Sequence, residues 1–191
     1  ADQLADIGAH LGGAADTDKA GVSLRTLSAK DKLEPALDLL KSVLHAPLFD
    51  AQIFEREKAR TIAGLKEAMT RTDAIAGKAF WAAMYPYLAY GRQATPESVA
   101  ALSRSDLLAH YRTFYTAENA VITLVGDLKR ADAEAIAESI AAGLPTGKPP
   151  VLPAVPAKPK GADIRLPHPA SQSHIYIGMP AIERGNPDFF P

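Results

Sequence analysis

The sequence predicts an α+β fold: helices packed on one face of a mostly antiparallel sheet, incomplete at both ends. Three observations predict it. Amphipathic helical stripes outnumber strand-like runs and cluster in the middle of the chain. The strand-like runs NAVITLVGD and SQSHIYIGM stand far apart, with a helix and a proline-rich run between them. The chain opens as if inside a helix, ADQLADIGAHLGG, and stops at NPDFFP with no element to close on.

In order, residues 1–11 read as a short helix with Leu4, Ile7 and Leu11 on one face, ended by Gly12 and Gly13. Residues 14–27, AADTDKAGVSLRTL, read as a strand: Val22, Leu24 and Thr26 alternate against Ser23, Arg25 and Leu27. Its small, polar first half suits a sheet edge. Ser28 opens a helix striped with Leu33, Ala36, Leu37, Leu40, Val43 and Leu44. Pro47 ends it, since proline disfavours helix at the residue before it.

The longest helix follows, from Asp50 as N-cap to Arg71. Ala51, Phe54, Lys58, Ile62, Leu65 and Met69 form one stripe, apolar but for Lys58, and this helix is expected to organise the core. Glu57, Arg60, Gly64, Glu67 and Arg71 take the other side. Gly64 stands out there, because a glycine inside a helix costs about 1 kcal/mol relative to alanine.

Residues 73–84 form a further helix, and YPYLAYGR a loop. Thr95 caps a helical turn with Pro96 at its first position. Ser103 caps a helix over 104–113, with Asp106 three residues on. NAVITLVGD (119–127) reads as a strand covered on both faces. Residues 131–142 form the last helix, ended by Gly143. The run PTGKPPVLPAVPAKPK (145–160) is stiff and extended, and residues 149–160 are the linker of a domain boundary. SQSHIYIGM (171–179) is a strand beyond it.

Composition excludes several classes of function. The chain has 191 residues, 47% hydrophobic and 23% charged, with 21 basic against 22 acidic residues well mixed. A net charge of -1 points to neither nucleic acid nor an anionic membrane as partner. With no cysteine, disulfides and thiolate metal sites are excluded. No apolar run approaches the ~20 residues of a membrane span.

Chemistry-bearing patterns are sparse. None of the histidines at 10, 45, 110, 168 and 174 has the i, i+4 spacing that shares a zinc ion on a helix. Glu55 and Glu57 project about 200° apart on an ideal helix, so they belong to a solvated, ion-paired face. No nucleophile elbow or phosphate loop occurs, and Asp127 after Gly126 reads as a strand-ending turn. The residues by themselves present no active site.

Three stretches together carry a resemblance: DKLEPALDLLKSVLHAPLFDAQIFEREKAR, ATPESVAALSRSDLLAHYRTFYTAENAVITLVGD and, beyond the prolines, QSHIYIGMPAIERGNPDFF. In this order they resemble the insulinase/pitrilysin-type zinc metallopeptidases, the family of the mitochondrial processing peptidases. The resemblance implies that residues 1–148 are the later part of a first peptidase-like domain. Residues 161–191 then open a second, homologous one. In this family such domains enclose a chamber.

The resemblance also implies where chemistry should sit. An inverted His-x-x-Glu-His motif, expected upstream of Ala1, supplies two zinc ligands and a general base. A glutamate on the EREKAR helix supplies the third. Aligned on Glu55-Arg56-Glu57-Lys58, that position is Gly64, which has no side chain to donate. Glu57 matches a carboxylate placed near the metal, not on it. No catalytic or metal-binding residue is therefore expected in this chain, although zinc is the family's cofactor. Gly13, Ala14, Ala15, Asp16 and Thr17 match an edge strand on which active relatives hold extended substrate.

The expected function is that of a non-catalytic subunit or half, which forms the peptide-binding chamber with a homologous peptidase. The alternatives are an active zinc endopeptidase whose motif lies upstream, and a structural or assembly protein of the same fold. The resemblance places the protein in the periplasm.

Overall fold

The computed structural model describes residues 2–151, 159–183 and 185–190. The chain divides into two compact units, Ala1–Ala51 with Ser103–Val151, and Gln52–Leu102 with Leu152–Pro191.

The first unit begins with α1 (Asp2–Asp6), β1 (His10–Ala15) and β2 (Ala20–Arg25). Here two expectations are corrected. The helix stops at Asp6, where Gly8 takes the left-handed conformation (φ 68°). Gly12 and Gly13 lie inside β1 and end no helix. The single strand over 14–27 is instead a hairpin, with His10 opposite Arg25 and Ala15 opposite Ala20. The turn is built by Asp16, whose Oδ1 accepts the amides of Asp18 and Lys19, both at 2.9 Å. A short carboxylate that bonds its own backbone two residues on makes a turn where alternation suggests continuity.

Helix α2 (Lys30–His45) starts two residues after Ser28, with Ala29 at the N-cap position. Its predicted stripe faces inward except at Val43, which is exposed: Ala36 and Leu40 are buried, and Leu33, Leu37 and Leu44 half-buried. Helix α6 (Arg104–Phe114) and helix α7 (Arg130–Ala141) pin its end; the intervening labels belong to the second unit. Tyr111 of α6 donates its hydroxyl to the carbonyls of Leu44 (2.7 Å) and His45 (3.1 Å). Burial raises the Tyr111 pKa, which keeps the donor protonated. His45 Nε2 lies 2.8 Å from the carbonyl of Ile140 on α7, so the proton sits on that nitrogen. Beyond α2 the chain turns at Phe49, a non-glycine residue at φ 42°. Arg104 holds this corner through Nε to Phe49 O (2.6 Å) and Nη2 to Leu48 O (3.1 Å). Ala36, Leu40, Thr116 and Ile140 are the buried residues of the unit.

The strand expected over 119–127 does not form. Residues 117–119 make a 3₁₀ turn, and 120–125 have no ladder partner among the described residues. Val121 is 91% exposed and Val125 93%. An apolar run states a preference for the extended state, but a strand needs a neighbour to bond to.

The second unit holds α3 (Ala51–Ala68, all but its first residue), α4 (Thr72–Met84) and α5 (Pro96–Ala100). The predicted stripe of α3 is half-buried at Phe54, Lys58, Ile62 and Leu65. Lys58 Nζ donates to Leu102 O at 2.7 Å and sits 5.6 Å from the Phe54 ring centroid. Met69 lies past the helix and is 57% exposed. No residue of α3 is fully buried, so it does not organise the core of its unit, where the buried Pro96 and Val99 lie on α5. Two of the predicted caps form as reciprocal boxes, Thr95 with Ser98 and Ser103 with Asp106, the latter in the first unit. Ser103, through its hydroxyl first and its amide second, lowers the Asp106 pKa.

The strand expected over 171–179 is also absent. Its alternation survives nonetheless. Tyr176 packs on Phe80 of α4 with ring centroids 5.6 Å apart, while Ile175, Ile177 and Met179 face outward and exposed. Among the described residues the sheet is thus β1 and β2, within an α+β fold. Of the predicted linker 149–160, residues 152–158 lie outside the described residues.

Candidate functional site

Two places merit examination, the hairpin edge in the first unit and the polar face of α3 in the second. On the hairpin, Gly13, Ala14 and Ala15 belong to β1, and Asp16 and Thr17 to its turn. All five are exposed. β2 occupies one edge of β1, pairing Gly13 with Val22, Ala14 with Gly21 and Ala15 with Ala20. The other edge has no ladder partner among the described residues. It can offer backbone N–H and C=O groups to an extended peptide, and its small side chains leave them open. Asp16 is engaged in the turn: amide bonds from Asp18 and Lys19, in that order, lower its pKa. It therefore serves the hairpin's shape.

On α3, Gly64 faces open space: a Cβ added there meets no atom within 4 Å. Glu57, two turns earlier, pairs with Arg56 (2.9 Å) and Arg60 (3.8 Å). These exposed pairs contribute little stability, but they leave Glu57 facing cations. Among the described residues no group of three or more His, Cys, Asp or Glu side chains could hold a metal. The histidines are dispersed. His10 lies on β1, His45 caps α7, His110 packs on Phe114 at 4.6 Å, and His168 Nδ1 accepts the Ala170 amide at 3.2 Å. His174 is half-exposed. This donor set does not fit zinc, and no chemical step through zinc can be derived for these residues.

Because Gly64 is exposed within a helix and a methyl group there meets nothing, Gly64→Ala is expected to stabilise the chain by about 1 kcal/mol. Urea denaturation measures it; an unchanged or lower midpoint would contradict the helical assignment of this face.

Sequence reasoning passed over Arg104 and Tyr111, which hold the corner between α2 and α3. Their partners lie 55 and 67 residues away, and no local pattern marks such pairs.

Residues 101–191 match the family described as the peptidase M16 inactive domain. The chain is similar to the probable mitochondrial-processing peptidase subunit beta of Arabidopsis thaliana, 26% identical over 130 residues, covering 67% of this chain and 24% of that protein. It also resembles the crystal structure of a peptidase M16 inactive domain from Pseudomonas fluorescens. There the TM-score is 0.81 at 36% identity, covering 83% of this chain and 39% of the other. The chain thus spans about a quarter of the curated relative and well under half of the solved one.

Proposed function

We propose, from the premise that this chain belongs to the insulinase-type M16 metallopeptidase family as a non-catalytic fragment, that its protein is the inactive partner of a homologous peptidase. In this reading it walls a peptide-binding chamber while the partner supplies zinc, general base and hydrolysis. The observation that carries the reading is Gly64 in open space on α3, at the position where the resemblance requires a glutamate ligand. The engagement of Glu57 with Arg56 and Arg60 supports it.

The contribution to substrate binding is assigned to β1. Gly13, Ala14 and Ala15 would pair main chain to main chain with an extended peptide, a mode that gives affinity with little sequence selectivity. Residues 1–148 and 161–191 would contribute to two successive peptidase-like domains. A periplasmic location belongs to the same proposal and rests on the resemblance alone.

Metal analysis tests the central point. The purified chain is expected to carry far less than one zinc per molecule after dialysis against a weak chelator. One tightly held zinc per molecule would overturn the non-catalytic reading.

A further inference from the structure

The second unit contains a cavity that belongs neither to the hairpin edge nor to the polar face of α3. The chain reverses between α3 and α4, where the Arg71 amide donates to Ala68 O and the Ile75 amide to Arg71 O, both at 3.1 Å. Beside this turn, Leu65, Met69, Ile75, Lys78, Gln93 and Pro96 line a half-open cavity of about 90 Å³, all of it within that unit. The walls are mostly aliphatic, and Pro96, which is buried and has no N–H, adds no donor to them. Two polar side chains reach the cavity, Lys78 and Gln93. Neither makes a hydrogen bond or ion pair among the described residues, and Lys78 is half-buried. An ammonium group taken partly out of water without a partner is costly, and an anion at the cavity would offset that cost. Glu97 does not fill this role. Its pKa is lowered first by its own backbone amide and the Thr95 hydroxyl, then by Lys66 and Lys78, and it forms no ion pair with either lysine. Two cations thus act on one carboxylate, which leaves a positive balance beside an apolar hollow.

We propose that this cavity binds a short, branched aliphatic carboxylate, with its alkyl end against Leu65, Met69 and Ile75 and its carboxylate on Lys78, the Gln93 amide serving as second donor. Size sets the alkyl group. An apolar cavity of about 150 Å³ takes a benzene ring, so this smaller one suits a branched group of about four carbons. The ligand is a free acid. The alkyl group and its carboxylate fill the volume and leave no walled space for a peptide chain behind them. The site does not depend on the peptidase reading. About seven non-hydrogen atoms and one charge contact correspond to a dissociation constant of about 1 mM.

Isovalerate titrated into the full chain tests this. The chain has three methionines, and of these Met69 alone lines the cavity. With methyl-labelled methionine, the Met69 resonance is expected to shift saturably with a midpoint of about 1 mM, while Met84 and Met179 stay in place. Isovaleramide, the uncharged isostere, should bind at least about tenfold more weakly, because a charge-assisted contact is lost. Lys78→Met keeps the aliphatic stem and removes the charge, and it should weaken isovalerate binding by a similar factor. Absence of a saturable Met69 shift up to about 20 mM, or equal binding of acid and amide, would overturn the site. The comparison of acid with amide uses wild type alone, so it decides the matter even if Lys78→Met folds poorly. N-acetyl-leucine carries the same carboxylate and branched group behind a peptide bond. Saturable binding of it in the absence of isovalerate binding would overturn the free acid in favour of a peptide C-terminus.

Discussion

Leu40→Ala is expected to lower the unfolding free energy by about 3 kcal/mol. Leu40 is 8% exposed and stands one turn after Ala36, which has no exposed surface. Removing its branched end costs the transfer free energy of three carbons and leaves a void that rigid neighbours cannot fill. The neighbours are constrained: Tyr111 caps α2 at Leu44 and His45, and His45 bonds α7 at Ile140. Urea denaturation with a fixed m-value measures the loss. A loss below about 1 kcal/mol would show that α2 does not carry the core. Leu33→Ala, on the same stripe but half-buried, should cost less and serves as the internal comparison.

Gly143→Ala follows, at about 2–4 kcal/mol. A Cβ at Gly143 would overlap Cγ, Nδ1 and Cε1 of His45. The imidazole is no flexible tip that swings aside, because its Nε2 is bonded to Ile140 O. Relieving the overlap breaks that bond or shifts α7, combining a packing penalty of about 1–3 kcal/mol with about 1 kcal/mol for the hydrogen bond. A double-mutant cycle identifies the cause. In a His45→Ala background the alanine at 143 should become nearly neutral. An equal cost in both backgrounds would exclude the clash and point to backbone strain.

The two capping boxes and the helices were legible because their information is local. A helix bonds only to itself, so periodicity plus Thr95, Pro96 and Ser103 sufficed to place its start. Strands bond to something else, and there the reading failed three times. Residues 14–27 concealed a turn whose cue, an aspartate at its first position, was present but unused. NAVITLVGD and SQSHIYIGM satisfied every local criterion for a strand yet have no ladder partner among the described residues. The assignment of the core to α3 erred similarly. Its stripe is regular, but regularity gives direction and not depth, and no residue of α3 is fully buried.

The candidate site was legible only in part. Gly64 is unusual in any helix, but reading it as a missing ligand rests on the resemblance alone. The bonds of Gly147 to Thr116 and Glu118 and the Arg104 corner join residues 29 to 56 apart, beyond the reach of spacing rules.

The outward rows on 120–125 and 174–179 have a consequence for the behaviour of the polypeptide in solution. Val121 and Ile177 are each more than nine-tenths exposed, on segments rich in β-branched residues, short of charge and without proline. Such segments are templates for cross-β stacking between molecules. Isolated from whatever covers these rows, the polypeptide is a candidate for fibrillation at high concentration. A charged substitution at either exposed position is the natural gatekeeper.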